Sequence, residues 1–483
     1  MKNLFSKASQ RPCSLTPCSL IPGSLILSLL LVLISTVAGA QSLLRVSDDS
    51  YKRGLDRFKK GDLTGAIEDF DQALDAYLSN RAAYSAGGAG AANNRANEDL
   101  EGVAVDYGDW VIHVPRAAAI YQNRGLARLR LGDTDAAIGD FNESIKLAPR
   151  NAGVYLYRGI AIQTKGDMES AIADYNRAIG LYPRYAEAWY NRGVAKRDKG
   201  AADEALADFN QALTISPKMI DALVNRAALY YDNGNLKGAL EDCNQAIKIE
   251  PRHHMAWNNR ALIRYRQGDY DGALSDVTRA IEITPDEATP YVNRSSLRLE
   301  KDDFDGALAD AETAISLNPR VATAWGNRGL ARVGKREFEG AMSDFNRALD
   351  IDPRSAATYF NRGNAWFAQG DAEKALADFE QALRINPNVA PVWNNRGNAR
   401  FIKGDIEGAV SDYDRAISLD SRYALAYANR GMARLLQWRD AEADRDFDQY
   451  RTLEPNPDPT FEKRISEAKR LRAEIDQPKV KKI

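Results

Sequence analysis

Apolar residues in this chain fall on one face of two short helices, and the pair recurs. Over 203–215, Ala205, Leu206, Phe209, Ala212 and Leu213 follow the three-and-four spacing of a single helix face. Just before it, Trp189, Val194 and Ala195 mark a shorter helix within 186–199. Gly200 lies between the two and ends the first. Pro217 ends the second, because proline lacks the N–H and clashes with the preceding turn.

The same unit returns every 34 residues. Its plainest marker is Asn-Arg-Gly, as in Asn123-Arg124-Gly125, Asn191-Arg192-Gly193, Asn327-Arg328-Gly329 and Asn395-Arg396-Gly397. With that glycine numbered position 8, ten contiguous units fill 118–457, and an earlier one fits 47–80. Position 4 is mostly aromatic (Trp189, Trp257, Tyr291, Trp325). Position 20 is Ala in all eleven units, from Ala66 to Ala443. Position 24 is mostly aromatic (Phe141, Tyr175, Phe345, Phe447), and position 32 is usually Pro. A period of this length implies a stacked array in which no unit buries its apolar face alone. Gly at 8 beside Ala at 20 predicts two helices touching there with no side chain between them. Tryptophan at position 4 returns every second unit, at 189, 257, 325 and 393, which suggests growth by duplicated pairs.

This pattern resembles the tetratricopeptide repeat (TPR) family. The resemblance implies an all-α, right-handed superhelical solenoid of about eleven helix pairs. The first helix of each pair, helix A, would line the concave face, and helix B the outside. Residues 458–483 complete the array: Phe461, Ile465, Ala468, Leu471 and Ile475 trace one face of a capping helix, followed by a basic tail of Lys479, Lys481 and Lys482. Residues 81–117 interrupt the array. Their Gly/Ala-rich start reads as a loop. Val103 to Val114 is too apolar for a linker and is expected to pack as a short hairpin, the alternative being a plug in the groove.

Three columns carry the candidate chemistry. Arg at position 7 and Asp at position 23 are present in all eleven units, and we expect each Arg to meet an Asp of its own unit or the next. Such pairs fix register more than they stabilise, since losing one partner strands a charge. Position 11 adds Arg128, Arg264, Arg298, Arg332, Arg400 and Arg434, expected to be solvated or Asp-paired rather than a stripe for an acidic partner. The third column is Asn at position 6: Asn123, Asn191, Asn225, Asn259, Asn293, Asn327, Asn361, Asn395 and Asn429, with Tyr157 as a gap. Asn opposes helix formation by about 0.5 kcal/mol against Ala, roughly 4–5 kcal/mol over nine positions, so something must offset it. An amide offers an acceptor and two donors that match a peptide unit. The column resembles the asparagine ladder in the TPR superhelix of O-linked N-acetylglucosamine transferase, and that resemblance implies that these residues hold the backbone of an extended peptide. The bland alternative is that each amide bonds the adjacent helix. The TPR carboxylate clamp, by contrast, needs Lys at 5 and Arg at 6 in particular units, and neither occurs here.

The first 40 residues read as an export signal: Lys2, Lys7 and Arg11, an apolar stretch from Leu25 to Val37, then Ala38-Gly39-Ala40 with cleavage expected before Gln41. The protein is thus expected in the periplasm or secreted, with no stable membrane insertion after cleavage. Only Cys243 remains in the mature chain, at a position where other units place an aromatic ring, so it reads as a core residue. The 65 basic and 67 acidic side chains nearly balance, which offers no general pull toward nucleic acid. Three histidines, of which His253 and His254 sit at an inter-unit turn, supply no zinc motif, and no glycine-rich phosphate loop is present. We therefore expect no enzyme, no cofactor, no metal and no catalytic residue. The expected function is a protein- or peptide-binding scaffold or assembly factor, the alternative being a TPR scaffold that assembles with itself.

Overall fold

The computed structural model describes residues 42–86, 103–106, 111–455 and 459–476. The expected export signal, the tail lysines and residues 87–102, which hold most of the Gly/Ala-rich stretch, lie outside them. The chain divides into two compact bodies between Leu229 and Tyr230, inside the helix Ile220–Asp232.

In the N-terminal body, a helix over 42–59 pairs with Leu63–Ala86. Arg116–Arg130 pairs with Thr134–Leu147, Ala152–Thr164 with Met168–Leu181, and Ala186–Asp198 with Ala202–Ile215. Between the first pair and the rest stands an antiparallel hairpin, β1 (Val103–Asp106) and β2 (Val111–Val114), with Val103 opposite Val114. Val114 is buried among Tyr51, Phe70 and Ile120, which ties the end of the hairpin to the first repeat.

In the C-terminal body the pairs continue from His254–Arg266 with Tyr270–Ile283 to Ala424–Leu436 with Asp440–Leu453. Each helix A packs on its own helix B, each B on the next A, and successive A helices touch one another. The helix Phe461–Asp476 closes this body, with Phe461 buried between Phe447 and Tyr450 and Ile465 buried behind it.

The turns form as their residues require. Gly200 adopts φ +82° between its two helices, and seven further glycines take the same left-handed conformation at that repeat position. Asp302, Arg336 and Trp438 occupy the same position with φ of 55° to 64°, a costlier choice for residues that carry a Cβ. Helix B is commonly capped by an aspartate at its entrance, such as Asp269, whose carboxylate accepts the Gly272 N–H at 2.9 Å.

The Ala at position 20 is fully buried in every repeat. The position 8 residue does meet that alanine, as Ser295 Oγ donating to Ala307 O at 2.8 Å shows, but the nearest neighbour of the glycine is a ring. A Cβ added to Gly125 would lie 2.7 Å from Phe141 Cε1, and at Gly363 2.7 Å from Phe379 Cε1. The glycine thus makes room for the ring at position 24. Three repeats reverse the arrangement: Ala227 stands with Cys243, Ala261 with Val277, and Ser295 with Ala311. The missing ring releases the volume that a larger position 8 residue needs.

Candidate functional site

The position 7 and position 23 columns form the spine of the array. Arg260 donates from Nε to Asp276 Oδ2 and from Nη2 to Asp276 Oδ1, both at 2.8 Å. The same two-pronged bond joins Arg124 to Asp140, Arg192 to Asp208, Arg294 to Asp310 and Arg396 to Asp412, always within one repeat. The third arm of the guanidinium reaches back one repeat. Arg260 Nη1 donates to Asn244 at 2.7 Å, Arg158 to Asn142, Arg362 to Asn346 and Arg430 to Asp414. Each such Arg clamps its own helix B to the helix B before it.

The guanidinium also lies over the position 4 ring, 4.6 Å from the Trp257 centroid for Arg260. Trp257 in turn donates its indole N–H to the Pro251 carbonyl that ends the preceding repeat, at 3.0 Å. Position 11 adds a second cation to the carboxylate: Arg264 lies 2.9 Å from Asp276 and Arg298 2.7 Å from Asp310. Asp276 is 1% exposed. The aromatic, the two arginines and the aspartate are therefore committed to holding the helices in register.

The Asn column lies where successive A helices meet. In the C-terminal body Asn293 donates to Asn258 Oδ1 at 2.8 Å, and Asn429 to Asn394 Oδ1 at 2.9 Å. Asn327 is buried and donates to Val292 O and Ser296 Oγ. Asn395 donates to Asn364 Oδ1 and accepts from Asn394. Asn259 and Asn361, both half-buried, make no side-chain hydrogen bond among the described residues. In the N-terminal body Asn123 donates to Tyr51 Oη and Ala119 O, and Asn191 to Glu187 O. Asn225 donates to Asp221 O and Tyr190 Oη and accepts from Arg197. Tyr157, at the gap, stacks on Phe141.

Bonds to the preceding turn or the neighbouring helix therefore supply most of what offsets the poor helix propensity of Asn. They consume N–H groups first. The Oδ1 atoms of Asn293, Asn327 and Asn429 accept nothing from the described residues.

One cavity opens on this wall within the C-terminal body, with a volume of about 380 Å³. Asn293 and Asn327 contribute to it, with Tyr231, Tyr265, Ser296 and Glu300. Leu262, Leu297, Leu299 and Leu330 form its apolar sides. Tyr265 donates its hydroxyl to Glu300 Oε1 at 3.1 Å, and burial together with that carboxylate raises the tyrosine's pKa. The inner-face aromatics Tyr231 and Tyr265 are legible in the repeat register, but Ser296 and Glu300 are not. Their signal is local: Ser296 is a small residue at position 9 between Leu262 and Leu330. Further along, position 13 exposes Ile402 and Leu436.

Among the described residues no group of His, Cys, Asp and Glu could hold a metal ion, and no helix is long and apolar enough to cross a membrane. Cys243 is buried in the core, which pushes its thiol up to about 12, with Asp242 adding to the effect.

Stacked helix pairs tied by a repeating side-chain clamp define a helical repeat protein. The tetratricopeptide repeat profile matches residues 51–103, 123–186, 158–220, 224–288 and 293–356, and related repeat profiles match 356–389 and 397–437. The chain belongs to the tetratricopeptide repeat family.

Among solved structures, it is similar to the APC/C hetero-tetramer Cut9-Hcn1, with 15% identity over 87% of this chain and 96% of that one, at a TM-score of 0.50. A tetratricopeptide repeat protein from Parabacteroides merdae matches with 24% identity over 51% of this chain and 98% of its own, at a TM-score of 0.43. YrrB, a TPR protein with an unusual peptide-binding site, matches with 22% identity over 40% of this chain and 97% of its own, at 0.33. No curated protein matches.

Proposed function

We propose that this protein is a non-enzymatic scaffold that holds an extended protein segment against the wall formed by its A helices. The observation that carries the reading is the division of labour between the columns. The Arg and Asp side chains are spent on register, whereas the Asn column retains unused acceptors. Asn259 and Asn361 keep both ends of their amides, and Asn293, Asn327 and Asn429 keep their Oδ1 atoms. A guest backbone N–H matches such an acceptor whatever the guest's sequence. Aromatic and apolar side chains beside the amides, including Tyr265, Phe367, Phe401 and Ile402, suit apolar side chains on the guest.

The reading includes export. The basic, apolar and small-residue segments of 1–40 would direct the chain across a membrane, and the scaffold would work in the periplasm or outside the cell. The test is capture of partners by crosslinking in that compartment, comparing wild type with a variant in which Asn259, Asn293 and Asn327 are all Ala. The reading expects the variant to lose partners while keeping its helical spectrum. Equal capture by both would remove the amides from recognition.

A further inference from the structure

We infer that the cavity on the A-helix wall is a receptacle for a lysine or arginine side chain of the bound segment. The inference rests on the groove-binding reading above and adds a sequence preference to it.

Ser296, a small residue at position 9, and Ala261 are among the cavity's lining residues, with leucines around them. Its walls, Leu262, Leu297 and Leu330, are apolar and suit the methylene stem of a long side chain. Tyr265 also lines it, and the face of such a ring attracts cations.

Glu300 is the single carboxylate among the lining residues, and no Lys, Arg or His lines the cavity. Glu300 accepts the Tyr265 hydroxyl and forms no ion pair among the described residues. A carboxylate bonded to the Tyr265 hydroxyl, in an apolar lining, selects a cation with an aliphatic stem and disfavours an acid. The Tyr231 ring is already taken by the Arg266 guanidinium, 4.3 Å from its centroid, which leaves the Tyr265 ring beside Glu300 for the guest cation.

The test is selection of a random peptide library on the full protein lacking residues 1–40, followed by affinities of the selected peptides. Bound peptides should be enriched in Lys or Arg at one position. Replacing that residue by norleucine should weaken binding by about tenfold, the scale of a partly desolvated cation–π contact. Glu300→Gln should remove the enrichment, whereas Tyr265→Phe, which keeps the ring, should preserve it. Glu300 is exposed and has no ion pair to lose, so the first variant is expected to fold. Peptides that bind without basic enrichment, or an enrichment unchanged in Glu300→Gln, would overturn the inference and leave the groove reading standing. If no peptide binds wild type, both fall together.

Discussion

Arg260 grips Asp276 with two parallel hydrogen bonds of 2.8 Å, and the carboxylate it holds is almost fully buried. Arg264 approaches the same carboxylate from one turn further along. Removing the negative charge would leave two arginines facing each other across a neutral amide. Asp276→Asn should therefore destabilise the repeat by about 3–5 kcal/mol, the range for breaking a buried pair from one side. Hydrogen exchange should localise the effect to His254–Arg266, Tyr270–Ile283 and their neighbours, because an array loses stability repeat by repeat. Unchanged protection there would show the clamp to be decorative.

The relation between positions 8 and 24 gives a second expectation. In Gly363→Ala the new Cβ would meet the Phe379 ring at 2.7 Å, so the change should cost about 1–3 kcal/mol by overpacking. Adding Phe379→Val rebuilds the pairing that Ala261 and Val277 already use. The double variant should be more stable than the sum of the single effects, by more than the roughly 0.5 kcal/mol within which independent sites add. Simple additivity would separate the glycine from the ring.

Burial holds the Cys243 thiol protonated up to about pH 12. In a chain that starts at Gln41 it should be inert to a thiol reagent at pH 8 while folded, and should react as a single thiol once unfolded in denaturant. Rapid modification of the folded chain would contradict a core position.

The export reading makes a simple prediction. Produced with its first 40 residues in a Gram-negative cell, the protein should be recovered from the periplasm with Gln41 as its first residue. Mass spectrometry of the purified chain decides, and an intact Met1 would contradict cleavage.

Much of the fold was legible because the repeat punctuates itself. Gly200 and Pro217 mark helix ends, and the structure places helices at Ala186–Asp198 and Ala202–Ile215 around them. The Arg and Asp columns announced an ion pair by charge alone, but not which repeat supplied each partner. The answer, Asp within the repeat and position 25 from the one before, depends on the stacking of helices. Sequence spacing sets position 8 beside Ala at 20, and Ser295 does bond Ala307 O there, but it does not reveal that the ring at 24 leans back over the glycine. The amides were harder still. An uncharged side chain declares no partner by type, so the bonds from Asn293 to Asn258 and from Asn327 to Ser296 emerge only from the packing of A helices. The cavity at Ser296 has no marker in the register, because position 9 varies along the array, with Ala228, Asn364 and Asn398 in other repeats.

The central claim is that a guest segment lies along the A-helix wall. A photo-crosslinking amino acid at position 299, in the cavity lining, and at position 279, exposed on helix B, tests it most directly in cells that export the protein. The account predicts adducts from position 299 and not from 279, with their yield falling when Asn259, Asn293 and Asn327 become Ala. Adducts from 279 alone, or equal adducts from both sites whatever the state of the amides, would contradict it.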